Sequence, residues 1–274
     1  MEVLPAVLPF MLISGLIMSM INYDNLPGTS AFILAIILGL SCGFPSGSHV
    51  VASLRNKDLL SVKCCQIILP LCNNVSPFFL YSYIYGKYLS NYMTFVELVF
   101  ILYLPQIVFT AVLLILDIVR NKFTKNMATA NSESRQYLYA AATVKSESKQ
   151  HSYAAATVTT NPSIIETSVR SITSVGVYMV IFSIIIEFTK LLNPVTQTLV
   201  SPFFEISSGI KALYLSALDI KTKLALIVCL TSFGGLCAIF QSYGVIKEAR
   251  LSFPKYVLGK LFCSVICGIT FLIQ

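Results

Sequence analysis

The chain has 274 residues, of which 56% are hydrophobic and 11% charged, and its mean hydropathy is +0.79. So little polar surface cannot clothe a soluble globule of this length, which excludes an ordinary soluble enzyme and makes lipid the natural solvent. The formal charge of +7 would suit nucleic acid in a soluble chain, but in a membrane chain Lys and Arg mark cytoplasmic loops. A lipid bilayer is therefore the expected partner, and nucleic acid is not.

A helix needs about 20 apolar residues, at about 1.5 Å rise each, to cross a hydrocarbon core of about 30 Å. Val3 to Ile21 meets this length; with no basic start and no small-residue cleavage site before Asn22, it reads as a retained helix rather than a signal peptide. Thr29 to Phe44 is shorter and is broken by Gly43-Phe44-Pro45-Ser46-Gly47-Ser48-His49. Proline removes a backbone donor there, and glycine permits unusual dihedrals. Leu59 to Cys72 is interrupted in turn by Asn73-Asn74-Val75-Ser76-Pro77, and Met93 to Val119 is a full span. From Arg120 to about Pro162 the apolar runs stop. Here Ser132 to Lys145 (SESRQYLYAAATVK) is followed by Ser146 to Thr159 (SESKQHSYAAATVT), a tandem repeat of 14 residues. It reads as a duplicated, mobile loop, or else as a docking peptide or helical spacer; two copies are too few for a solenoid. Val169 to Leu192 is the next full span. Interruptions return at Pro202-Phe203-Phe204-Glu205-Ile206-Ser207-Ser208-Gly209 and at Thr231-Ser232-Phe233-Gly234-Gly235, with Gln241 two turns on, before a last span from Pro254 to Ile273.

The fold class expected is all-α: a polytopic membrane protein of about eight hydrophobic segments in two pseudo-repeated halves with interrupted helices. Residues 1–119 and 166–274 form the halves, and 120–165 is a polar linker. A gapless shift of 162 places Ser46-Gly47 on Ser208-Gly209 and Cys72-Asn73 on Gly234-Gly235. The loop with Arg55, Lys57 and Lys63, the linker, and the loop with Lys221 and Lys223 then fall on one side. That asymmetry puts the linker and the termini in the cytoplasm.

Paired interruptions in matching places of two halves point to a transporter-like site, where freed backbone and half-helix ends can hold a solute. An unpaired Asn or charged Glu at depth costs a few kcal/mol unless something satisfies it. Pro45, Ser46, Gly47, Asn73, Asn74, Ser76, Glu205, Ser208, Gly209, Gly234, Gly235 and Gln241 are accordingly the candidate solute-binding residues, while close helix packing is the competing role for any single Gly or Pro. Glu205 is the most conspicuous acid, with Lys211 as a possible partner, whereas Glu187, Asp117 and Lys260 stand nearer segment ends and are expected to snorkel. His49 can titrate near neutrality, but a lone histidine more often makes a single hydrogen bond. The eight cysteines lie in or beside apolar segments, without CxxC or a nearby His, so neither metal nor disulfide is assigned. With no HExxH, no GxSxG and no paired catalytic Asp, no catalytic residue and no cofactor is expected.

The stretches LGLSCGFPSGSHVVASL (Leu38 to Leu54), LPLCNNVSPFF (Leu69 to Phe79), FFEISSGIKAL (Phe203 to Leu213) and LTSFGGLCAIFQSY (Leu230 to Tyr243) resemble the YlbJ-like sporulation integral membrane proteins. These belong to a wider group with a nucleoside-recognition or Gate-type membrane domain. The family pattern falls on Gly43, Pro45, Gly47, Asn73, Asn74, Pro77, Glu205, Gly209, Gly234, Gly235 and Gln241. The resemblance implies a multi-pass cell-membrane protein of endospore-forming bacteria, needed for spore formation, with transport or binding of a small polar solute such as a nucleoside or cell-wall precursor. The alternative is a non-transporting scaffold that gathers spore-assembly proteins. Two departures stand out: a further N-terminal hydrophobic segment of the family is missing, so a shortened N-terminus is expected, and the duplicated linker is peculiar to this sequence.

Overall fold

The computed structural model describes residues 17, 26–139, 164–189, 191 and 194–273, with the side chains of 122–172, 194–196, 198 and 199 outside the description. The expected first span, Val3 to Ile21, and the second copy of the linker repeat lie outside the described residues. Every described element is helical.

Two short helices, α1 (Gly28–Cys42) and α2 (Ser46–Asn56), are joined through Gly43, Phe44 and Pro45 and pack on each other. At 15 and 11 residues they reach about 22 and 16 Å, short of the roughly 30 Å core. Gly43 makes the turn possible: its φ is +70°, and an added Cβ would stand 2.5 Å from Ser76 N. α3 (Val62–Cys72) starts on Ser61, whose hydroxyl accepts from Cys64 N at 3.1 Å. It stops at Asn73. The chain resumes as α4, a turn at Pro77–Phe79 capped by the Ser76 hydroxyl and continued as a π-helix over Leu80–Leu89. α5 (Phe95–Tyr139) opens with a reciprocal cap, Thr94 N to Glu97 Oε2 at 2.7 Å and Glu97 N to Thr94 Oγ1 at 3.2 Å. It continues without interruption into the first copy of the linker repeat.

The same order follows in the second part. α6 (Ile164–Thr189) precedes α7 (Pro194–Phe204) and α8 (Ile206–Leu215), which are parted by Glu205 alone and pack on each other. α9 (Ile220–Phe233) breaks at Gly234 and resumes as α10 (Gly235–Gln241), followed by α11 (Tyr243–Glu248) and α12 (Phe253–Ile273).

By length and composition, four helical stretches among the described residues can cross a membrane: Val62–Leu89, Phe95–Asn121, Ile220–Gln241 and Phe253–Ile273. Their outer faces are apolar and exposed. Phe100, Leu104, Ile107, Val108, Ile115 and Leu116 on α5, and Leu258, Phe262, Val265 and Ile269 on α12, recur at helical spacing. Such stripes would be untenable in water and suit lipid. The chain is a membrane protein of all-helical class. Among the described residues α1, α2, α7 and α8 have at most 15 residues each, short of a full span.

Residues 1–110 and 163–274 make one compact unit, and residues 111–162 a second. In the first, α9 lies along α12, α12 against α3, and α11 against α2. The approach of α9 to α12 is close enough that a Cβ on Gly268 would fall 2.1 Å from Cys229 Sγ. Leu80, Ile84, Leu98, Ile210 and Ile227 form the buried core, with an exposure of 0% each.

Candidate functional site

The four interruptions meet. At the first, the Phe44 backbone N–H donates to Asn74 O at 2.8 Å, so the α1–α2 turn is pinned to the break between α3 and α4. At the second break Tyr103 of α5 donates its hydroxyl to Val75 O at 2.7 Å, supplying a partner to a carbonyl that the interruption frees. The third and fourth touch each other: a Cβ on Gly235, whose φ is +78°, would come within 3.2 Å of Ile206 N and 3.5 Å of Glu205 Cα. Gly234, at φ +89°, faces the Phe44 ring, to which an added Cβ would approach within 2.5 Å. Only glycine fits both the dihedral and the space.

A cleft of about 70 Å³ lies at this junction, walled by Phe44, Val75, Ser76, Phe79, Val175, Met179, Glu205, Ile206, Gly234, Cys237, Ala238 and Gln241. Every interruption contributes to it: Phe44 the first, Ser76 the second, Glu205 the third and Gly234 the fourth. The walls are aromatic, aliphatic and sulfur-bearing, with a carboxylate, an amide and a hydroxyl as polar groups. Glu205 uses its carboxylate on its own helix. Oε1 accepts from Ser207 N at 2.8 Å and from the Ser207 hydroxyl, and Oε2 from Ser208 N at 2.7 Å and Ser208 Oγ at 2.6 Å. The carboxylate is thus the N-cap of α8, and the exposed Lys211 is not its partner.

Behind the cleft lies a buried polar network. Asn73, with 0% exposure, donates to Ser242 Oγ at 2.7 Å and Tyr256 OH at 2.8 Å, and accepts from Ser48 N at 3.3 Å. Asn74 donates to Gln106 Oε1 at 2.8 Å; Gln106 donates in turn to Ser232 Oγ at 3.1 Å. Lys260 donates to Asn74 Oδ1 at 3.2 Å. Two adjacent amides therefore tie α2, α5, the turn after α10, and α12 together.

Of the twelve residues singled out from sequence, Ser76, Glu205, Gly234 and Gln241 line the cleft. Asn73 and Asn74 sit in the network behind it. Ser208 belongs to the cap of α8. Pro45 is buried in the α1–α2 turn and accepts from Ser48 Oγ through its carbonyl at 2.6 Å. Ser46 is buried with no partner for its hydroxyl. Gly47, Gly209 and Gly235 serve close backbone approach, with Cβ distances of 2.0 Å to Cys72 O, 2.4 Å to Pro202 Cα and 3.2 Å to Ile206 N. The expected snorkelling of Lys260 is corrected: its exposure is 0%, because α9 and α3 pack along α12 and close the path to an interface. Sequence reasoning passed over Phe44, Gln106, Ser232, Ser242, Tyr256 and Lys260 as site residues. The available signal was an amide, Gln106, and an ammonium, Lys260, each set among apolar residues inside a span.

Comparison with family models, curated proteins and solved structures finds no match to this chain.

Proposed function

We propose that the chain is a multi-pass membrane transporter that binds a small polar solute where two pseudo-repeated halves meet, in the manner the YlbJ-like resemblance implies, and that it serves spore formation. One observation carries the reading: a cleft walled by a residue from each of the four helix interruptions. Non-helical backbone at membrane depth is tolerated where it is buried in protein or lines a cavity, and paired broken helices are the recurrent frame of solute sites in transporters. The order of short hairpin, broken helix and long helix, met twice along the chain, supports the two-half arrangement, with the linker on the cytoplasmic side. At about 70 Å³ the cleft takes a few waters, so a nucleoside or cell-wall precursor would enter only as the walls part.

Thermal stabilisation of the detergent-purified protein tests this. A solute bound only to the folded state at about 100 times its Kd adds about 2.7 kcal/mol. The Tm is expected to rise with one class among nucleosides and cell-wall precursors, and Gln241→Ala should erase the rise while leaving the unliganded Tm nearly unchanged. No rise with any of them would defeat the reading. Cysteines placed at Ser134 and Ser148 should resist impermeant thiol reagents in intact cells if the linker is cytoplasmic.

A second reading, a non-transporting scaffold, draws on the buried network: Asn73, Asn74 and Gln106 are at most 3% exposed, Asn74 bonds Gln106 directly, and Asn73 bonds Ser242 and Tyr256. On that reading the interruptions lock helices, and a deletion strain would fail in spore assembly without any change in solute uptake.

A further inference from the structure

Lys260 sits two turns into α12 with 0% exposure. An ammonium has three donors, yet among the described residues Nζ has a single hydrogen-bond acceptor, Asn74 Oδ1 at 3.2 Å, and no carboxylate partner. Its other contact is the face of Phe44, with the ring centroid 4.9 Å away. That ring is the tip of the α1–α2 turn, it abuts Gly234, and it forms one wall of the cleft. The charge therefore stands directly behind the cleft wall.

Among the described residues no carboxylate pairs with it. On its own helix the facing titratable groups are the thiols of Cys263 and Cys267, with Tyr256 one turn away and bonded to Asn73. Of the elements packed against α12, α3 carries Lys63, α9 carries Lys221 and Lys223, and α11 carries Lys247 and Glu248. Lys63, Lys221, Lys247 and Glu248 are exposed, and Lys223 donates to Tyr214 O at 3.1 Å. On α2, Arg55 pairs with Asp58. Among the described residues the amine is met by the Asn74 amide and the Phe44 ring, both neutral.

Both contacts depend on the proton. A cation is drawn to the negative face of an aromatic ring and to an amide oxygen, and a neutral amine loses the first attraction entirely. We infer that Lys260 is the ion-coupling group of this protein and that the coupling ion is a proton. With its proton on, Lys260 holds the Phe44 tip against the Asn74 break and keeps the cleft closed. When the ammonium gives that proton to water, the tip is released and the cleft opens. The inference rests on reading the cleft as the solute site, but its test does not need a solute.

The chain contains no Trp, so Met179→Trp on the α6 wall of the cleft gives a single tryptophan, which is excited selectively at wavelengths that tyrosine does not absorb. Acrylamide, a neutral quencher, reports access to it as pH is raised in detergent. With Lys260 present, quenching should rise with pH; linkage to one proton limits the slope of the open-to-closed ratio to about tenfold per pH unit. With Lys260→Arg, whose charge persists, quenching should stay low throughout. With Lys260→Met it should be independent of pH. A Lys260 protein without the transition, or the same transition in either variant, overturns the inference. Should Lys260→Met fail to accumulate, the Arg variant decides alone: loss of the transition upholds the latch and its persistence refutes it. Absence of solute stabilisation with an intact pH transition would sink the transport reading and spare the latch.

Discussion

Replacing Asn73 by Leu asks whether the break between α3 and α4 is held by hydrogen bonds to distant elements. The amide is fully buried and makes three contacts, accepting from Ser48 N and donating to Ser242 Oγ and Tyr256 OH. Leu fills the volume and satisfies none of them. Ser48 N also reaches Pro45 O at 3.1 Å, so its loss lies near the low end of an unsatisfied donor, about 1 kcal/mol. The two hydroxyl bonds are worth about 0.6–1.5 kcal/mol each in a membrane protein. The expected destabilisation is therefore about 2–4 kcal/mol, or a Tm lower by about 5–15 °C. A thermal ramp read by size-exclusion chromatography in detergent measures it. Tyr256→Phe removes one bond and should cost about 0.6–1.5 kcal/mol. The double variant should cost little more than Asn73→Leu alone, because both substitutions remove the same bond. A loss below that of Tyr256→Phe, or full additivity, would refute the network.

Gly47→Ala would place a Cβ 2.0 Å from the backbone oxygen of Cys72 and should cost upwards of about 1–3 kcal/mol by overpacking; Gly176→Ala, with nothing within 4 Å, should stabilise α6 by up to about 1 kcal/mol, both read from Tm. Glu205→Gln would turn an amide N–H₂ toward one of the two serine N–H groups it now accepts from, so the unliganded protein should lose about 1–2 kcal/mol, and an unchanged Tm would show that the carboxylate is not the cap. Asp219 is held below the usual carboxylate range by the Thr222 N–H at 2.9 Å. Its contribution is thus complete above the unfolded carboxyl value near 4 and is lost as pH falls through the folded value, so Asp219→Asn should lower Tm at neutral pH and flatten its acid decline.

The interruptions were legible because Pro, Gly and paired Asn have no ordinary place in an apolar span, and each marks the end of a helix at Gly43, Asn73, Glu205 or Gly234. What the polar groups at those ends face was not legible. Asn73 finds its partners 169 and 183 residues away, and Asn74 meets Lys260 across 186; sequence spacing carries no trace of such pairings. Lys260 was misjudged because its place near the start of a span suits snorkelling, which fails when neighbouring helices cover that start. The π-helix at Leu80–Leu89 went unread because its tyrosines suit an α-helical face equally well.

The two hairpin tips are secured differently, and this sets an order of opening. Displacing the α1–α2 tip breaks Phe44 N to Asn74 O and Ser48 N to Asn73 Oδ1, and strips Phe44 from Lys260. At the α7–α8 tip the amides of Ser207 and Ser208 are closed on Glu205 of the same segment, and the outside hydrogen bond is Tyr83 OH to Ser207 O at 3.1 Å. A self-capped tip can move as a unit with its backbone still satisfied, whereas the first tip must expose donors as it leaves. In protection factors, which divide out the base-catalysed rise of intrinsic amide exchange with pH, residues 205–209 should be less protected than 44–48 where Lys260 is charged, and raising the pH should narrow the difference by lowering the protection of the first tip alone. Equal protection of the two tips at low pH, or a fall in the protection factors of the second with rising pH, would contradict this order.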